Sequence, residues 1–243
     1  MKNKLIILTA ILSLIISSCI VRSIHPFYKD SDVVFKSELL GTWLDSDSSK
    51  WVFSQRIYQE SFLGPEKKDN SYEVVYYEEG NDTSYFYVHL FMLKGEYYLD
   101  FFPDEDDNIG DKFASFHFFP THSIARIKLV GDENLSLFWY DEGWLGNLFE
   151  ENRVKISHEY INPSGNYEQY ILTAETSELQ KFIVKYGAEI DIFEKINFDS
   201  IRNIENKFDI QNTIIDEMEA YCNSEEDNTD VIYLSMIKIE DVE

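Results

Sequence analysis

Between residues 33 and 173 the chain alternates apolar and polar positions in short runs, the period-two signature of half-buried strands. Candidate strands are 51–58, 71–79, 83–93, 96–102, 112–119, 123–130 and 134–140. Turn-forming stretches separate them: Gly80-Asn81-Asp82, Lys94-Gly95, Asp107 to Gly110, and Gly131-Asp132-Glu133. Sequential strands with such short connections pair antiparallel, which predicts a β-meander curled into a barrel or half-barrel.

The period changes towards the C-terminus. At 142–150, Trp144, Leu145, Leu148 and Phe149 share one helical face. A second helix, 177–187, is predicted to start at Ser177, with Gln180 completing a capping box, and to stop at Gly187. A third helical stretch covers 199–222, with Ile201, Ile204, Phe208, Ile214, Ile215 and Met218 as its apolar side. The final run, 231–239, is rich in β-branched residues and favours an edge strand over a short helix. The fold class is α+β, mainly β, with C-terminal helices.

The first nineteen residues carry a different signal. Lys2 and Lys4 precede an apolar run from Leu5 to Ile16, then Ser17, Ser18 and Cys19. That is the layout of a secretory signal peptide, and a run of about 12 residues is too short to span a bilayer that needs about 20. The tetrad Ile16-Ser17-Ser18-Cys19 resembles the bacterial lipobox, in which the Cys is acylated and becomes the mature N-terminus. The resemblance implies a signal peptide over 1–18 and lipidation of Cys19, with 19–32 as tether. A mainly-β domain over 33–196 and a helical, acidic extension over 197–243 complete the organisation. Ile20, rather than Asp, follows Cys19, so by analogy with known sorting the protein goes to the outer membrane of a cell that has two.

Composition narrows the partners. The formal net charge is −24, and it becomes −26, 19 basic against 45 acidic residues, once 1–18 are removed. Such a surface repels phosphate backbones and anionic bilayers, so nucleic acid is excluded and membrane attachment falls to the anchor. With 2 cysteines, a lipidated Cys19 leaves Cys222 as a lone thiol in acidic surroundings. Aromatic residues form 16% of the chain, which supplies a large core without disulfides.

The segment ELLGTW at 38–43 resembles the G-x-W opening of lipocalin-like barrels, in which the Trp plugs one end and the Gly lets the chain turn tightly beneath it. More broadly, the ordered blocks IHPFYKDSDVVF, ELLGTW, HLFMLKGEYYLDFFP, FFPTHSIARIKL, YDEGWL and ILTAETSELQKFI resemble a group of bacterial lipoproteins of uncharacterised activity, over about 20 to 195. The resemblance implies a secreted, mainly-β domain and supplies no catalytic residue.

Three polar groupings are candidates for chemistry. His117 and His122 bracket Pro120 and offer imidazoles to a metal, with His89 or Asp141 as a third ligand, although the spacing fits no common motif. The loop from Asp104 to Asp111 places Asp104, Asp106 and Asn108 at alternating positions as calcium loops do, yet its glycine is one place late and Ser115 replaces the terminal Glu. Asp141, Glu142 and Trp144 offer carboxylates beside an indole, for sugar binding or general acid work, or for the start of a helix. Nucleophile, zinc-protease and phosphate-loop signatures are missing from the sequence. No cofactor is predicted. The favoured reading is a lipid-anchored, non-catalytic envelope protein that binds an apolar small molecule or docks an envelope protein. The alternative is a secreted hydrolase assembled from His117, His122, Asp141 and Glu142.

Overall fold

A computed structural model describes residues 20–59, 64–78, 82–104, 117–162, 169–187, 196, 198–201, 204, 206–224 and 232–240. Its strands are β1 (Arg22–Ser23), β2 (Gly41–Asp45), β3 (Lys50–Gln59), β4 (Glu66–Tyr77), β5 (Thr83–Leu93), β6 (Glu96–Pro103), β7 (His122–Val130), β8 (Asn134–Trp139), β9 (His158–Ile161), β10 (Gln169–Leu172) and β11 (Ile232–Ile239). Its helices are α1 (Glu142–Glu150), α2 (Thr176–Tyr186), α3 (Phe198–Ile201) and α4 (Lys207–Ser224).

Strands β2 to β8 form an antiparallel meander, and β6 pairs with β7 as the hairpin logic requires. The ring is completed by β11, which lies between β8 and β2 and pairs antiparallel with both. The result is a closed eight-stranded barrel. The last run is therefore a strand, as expected, but not an edge strand: Leu137 faces Leu234 on one side and Leu44 faces Ile237 on the other. The tail beyond 196 belongs to the barrel, because without β11 the facing edges of β8 and β2 would both lack a partner.

Two cores sit on either side of this wall. Inside the barrel, Trp43, Phe53, Tyr72, Val88, Leu90, Leu99, Leu135, Leu137 and Met236 are buried. An eight-stranded barrel is just wide enough for side chains to fill, and these large residues fill it. Outside, Ile124, Val130 and Phe138 lie under α1, α2 and α4, with Leu145, Leu179, Ile183, Ile214 and Met218 covering them. β8 is consequently buried along its whole length, on both faces.

The 20–32 segment is no tether. Val21 is 1% exposed and Phe27 0%, and Val21 N donates to Tyr140 O at 2.8 Å. β1 runs in the lane that β8 vacates, antiparallel to β7 and parallel to β10. α2 clamps the segment further. Its N-cap is Glu175 rather than Ser177, without a side-chain cap, because the polar side chains of its first turns are used elsewhere. Thr176 Oγ1 donates to Pro26 O at 2.7 Å, and Gln180 Nε2 donates to Phe27 O at 3.1 Å and Asp32 Oδ2 at 2.7 Å.

Two further expectations change. Of the strand predicted over 112–119, residues 117–119 are turn and loop, with Phe118 61% and Phe119 71% exposed, and 112–116 lie outside the described residues. The helix predicted over 199–222 is two helices, since Asn206 Oδ1 accepts from Phe208 N at 2.9 Å and starts α4 anew. The buried face then falls on Ile210, Ile214 and Met218, one turn apart, which leaves Phe208 51% exposed.

Candidate functional site

The two ends of the barrel differ. At the end where β2 begins, a 3-10 turn over Ser37–Leu39 caps the barrel. Trp43, 0% exposed, donates from Nε1 to Leu39 O at 2.9 Å. Lys238, near the end of β11, lies 4.9 Å over the Trp43 ring and donates from Nζ to Glu38 O at 2.7 Å. Gly41 has φ +118°, and a Cβ there would stand 3.3 Å from Lys238 Cε. The glycine thus serves both the backbone conformation and the passage of the lysine stem. Tyr72 Oη accepts from Lys36 N at 2.7 Å and donates to Lys36 O at 3.0 Å, and burial pushes its hydroxyl up to about 12.

The interior of the opposite end, the mouth, is lined by aromatic rings. Trp51 lies 4.4 Å from Tyr76, 6.3 Å from Phe101 and 6.2 Å from Trp139, and Phe101 lies 5.6 Å from Trp139 and 6.0 Å from Phe86. Asp45 orients this cluster. Its Oδ2 accepts from Trp51 Nε1 at 2.9 Å, and its Oδ1 accepts from Ser49 N at 2.8 Å and Asp47 N at 3.0 Å. Burial holds the Asp45 carboxyl above the usual range, with those three donors opposing. β2 ends at Asp45, opposite Met236, so Ile232 and Leu234 pass beyond it and stay half-buried beside the mouth.

The N-terminal residues of the described chain belong to the same rim. Ile20 bridges to Asp141 and packs against the interior cluster, and Arg22 stands opposite Ser123. Directly opposed residues of an antiparallel pair share a face. Ser123 lies on the face of Ala125 and Ile127, both interior, so Arg22 projects to the barrel side in the lane above Trp139. Its Nε and Nη2 are buried and have no hydrogen-bond partner among the described residues.

A third cluster occupies the outer wall. His122 Nδ1 donates to Asp100 Oδ1 at 2.7 Å, and Asp100, 0% exposed, accepts from Phe27 N through Oδ2 at 2.8 Å. His89 faces Asp100 across the β5–β6 ladder and stacks on Tyr28 at 4.2 Å. Burial holds the His89 imidazole below its ordinary value, and burial beside Asp100 pushes the Tyr28 hydroxyl up to about 12. The wall uses Asp100 to bind the 27–28 segment, a structural task.

The residues singled out from the sequence are dispersed. His117 is exposed in the loop before β7, while His122 is engaged by Asp100. Among the described residues no group of three or more His, Cys, Asp or Glu side chains is placed to hold a metal. Asp104 N donates to Tyr85 O at 2.9 Å and the Asp104 side chain bonds Tyr87, whereas Asp106 and Asn108 of the calcium-like loop, and Cys19, lie outside the described residues. Asp141 is the N-cap of α1, accepting from Trp144 N at 3.1 Å, and Glu142 Oε1 accepts from Tyr170 N. Trp144 is buried against Tyr140 and Phe182. Of the residues of the hydrolase alternative, His122, Asp141 and Glu142 hold separate structural posts and His117 lies apart in the exposed loop. Cys222 falls in α4.

A surface groove of about 450 Å³ lies between α2 and the 152–156 segment, lined in part by Arg153, Lys155, Lys181 and Lys185. Two of its cations have protein partners, Arg153 with Glu151 at 3.4 Å and Lys185 with Tyr186 Oη at 2.8 Å. The mouth, by contrast, holds Arg22, whose Nε and Nη2 have no hydrogen-bond partner among the described residues, beside a cluster of rings. Neither Arg22 nor that ring cluster was singled out from the sequence; the only hint of Arg22 was a cation between apolar residues in the 20–24 alternation. Compared with family models, curated proteins and solved structures, the chain matches none.

Proposed function

We propose that this is an exported protein, acylated at Cys19, whose barrel mouth rests on a bilayer, at the outer membrane where a cell has two, and takes up an apolar small molecule without catalysing a reaction. The observation that carries the reading is the place of Ile20. It is the residue after the lipobox-like Cys19, and it already belongs to the barrel rim through Asp141 and the interior cluster. One residue of extended chain reaches only about 3.5 Å. Acyl chains on Cys19 would therefore hold the aromatic end of the barrel at the lipid surface.

One further feature supports this orientation. Phe118 and Phe119, 61% and 71% exposed, lead into β7 at the mouth end and suit the interfacial zone of a bilayer. Among the described residues no helix is long and apolar enough to cross a membrane. The site is shallow, since the barrel below Trp51 and Trp139 is filled by its own side chains.

The test is native mass spectrometry of the full-length protein isolated from membranes in lipid nanodiscs, before and after organic extraction. The expected spectrum carries the acyl mass on Cys19 and a second, extractable molecule. A lipidated chain with no extractable mass would overturn uptake and favour docking to another envelope protein. An unacylated chain would overturn the anchor.

A further inference from the structure

The arginines of this chain provide a comparison. Arg126 meets Glu96 at 3.0 Å, Arg153 meets Glu151 at 3.4 Å, and Arg56 lies 3.9 Å from Asp69. Arg22 differs from these three in having two buried guanidinium nitrogens and no partner among the described residues. With 45 acidic residues in the sequence, carboxylates to pair with a structural arginine are abundant. Arg22 is partly buried, and burying guanidinium nitrogens without partners is unfavourable, so the two nitrogens call for an account. Among the described residues nothing pairs with it, so the group is either a defect or held by a partner from outside them.

Its surroundings say what that partner is. The register of β1 on β7 puts Arg22 on the barrel side, above Trp139 and one strand from Ser123. Below it lie Trp51, Phe101 and Trp139, a packed apolar cluster of rings of which Trp51 and Trp139 keep 9% of their surface exposed. A guanidinium offers a rigid fork of donors that matches a carboxylate or phosphate in two parallel bonds. The net charge of −24 opposes anions at long range, but screening at physiological salt acts beyond about 8 Å, and the desolvated contact at Arg22 is local. We infer that Arg22 is the anion-binding residue of the mouth, and that the ligand is an amphiphile with a carboxylate or phosphate on Arg22 and its apolar part against Trp51, Phe101 and Trp139. This rests on the proposed uptake of an apolar molecule at the same mouth and specifies its chemical class.

The experiment uses the full-length protein in phosphatidylcholine nanodiscs and reads saturable quenching of tryptophan emission by brominated chains. The probes are 11-bromoundecanoate, 11-bromoundecyl phosphate and neutral 11-bromoundecanol. Expected is half-saturation by an anionic probe at a concentration about tenfold lower than by the alcohol. Arg22→Gln should abolish that preference, bringing the anionic probes and the alcohol to the same half-saturation, while Arg22→Lys keeps the charge, loses the fork and should fall between. Carboxylate and phosphate arms tell a fatty-acid-like ligand from a lipid headgroup. Equal quenching by acid and alcohol in the wild type overturns the role of Arg22 and leaves the mouth as a neutral site. Quenching by none of the three overturns the mouth itself. If Arg22→Gln does not fold, the wild-type preference and Arg22→Lys still decide.

Discussion

Replacing Lys238 by Met tests how the barrel is locked. Met keeps an unbranched stem over the Trp43 ring and deletes the ammonium, so the change isolates what the charge does. Two interactions disappear. The bond from Nζ to Glu38 O, at 2.7 Å, is charge-assisted, and bonds of that type contribute about 1.5–3 kcal/mol. The ammonium over the indole, at 4.9 Å, adds about 0.5–1 kcal/mol for a partly exposed pair. Against this stands relief of desolvation, since burial lowers the Lys238 ammonium from its ordinary value. A net loss of about 2 kcal/mol follows. Urea unfolding followed by tryptophan emission measures it as a shift in midpoint at constant slope. Lys238→Ala should lose more, because the stem then goes as well. A loss below about 0.5 kcal/mol would mean that Lys238 is an ordinary solvated lysine and the clasp is no lock. A changed slope would mean that the variant opens the barrel rather than weakening it.

Other expectations follow from the same geometry. Gly41→Ala should destabilise by about 1–3 kcal/mol, the range for strained backbone, because φ is +118° and the new Cβ would crowd Lys238 Cε; a neutral change would refute the double role of this glycine. Asp141→Ala removes the acceptor for Trp144 N and should lose about 1 kcal/mol in thermal unfolding, whereas Asp141→Asn should lose less; equal losses would mean that charge rather than capping acts there. His89→Phe should flatten the acid limb of the stability curve. The folded imidazole lies below 6.5, so below that pH the unfolded chain binds a proton that the folded chain refuses, and stability falls as pH drops through the folded value. The difference between wild type and His89→Phe should be constant above pH 6.5 and change below it, and a constant difference throughout would remove His89 from the account.

What the sequence made visible is what hairpins make visible. β5 spans 83–93 and α1 spans 142–150 as predicted, because their signals are local: alternation bounded by Lys94-Gly95 in one case, a helical face behind Asp141 in the other. What it hid is long-range. β11 reads as an edge strand because nothing near residue 235 shows that Ser136 lies beside it and that the β2 edge waits on the other flank. The 20–32 segment reads as a tether because its partners, Tyr140, Leu172 and Gln180, are more than a hundred residues away. The end of the strand expected over 112–119 differs for another reason: His117 to Phe119 form an exposed turn and loop, while 112–116 lie outside the described residues.

The same distinction governs the site. A motif search looks for residues close in sequence, and those it raised, Asp141 and Glu142 above all, are spent on local structure, a helix cap and a backbone bond. The residues that remain available for a ligand come from separated strands: Arg22 from β1, Trp51 from β3, Phe101 from β6 and Trp139 from β8. Their rings converge because an inward position recurs every second residue on each strand and the ladders set neighbouring strands in register. A shift of β1 by one residue would turn Arg22 to the outer wall and bring Val21 or Ser23 to the mouth. The pairing of Arg22 with Ser123 and Ile171 is thus what converts a lone arginine into a site. Val21, 1% exposed, and Ser23, 0% exposed, fix that register by burial of their own, so the orientation of Arg22 is set by packing that does not depend on its charge. Arg22→Gln should therefore keep the register, and this independence is what allows its effect on anion binding to be separated from an effect on the fold.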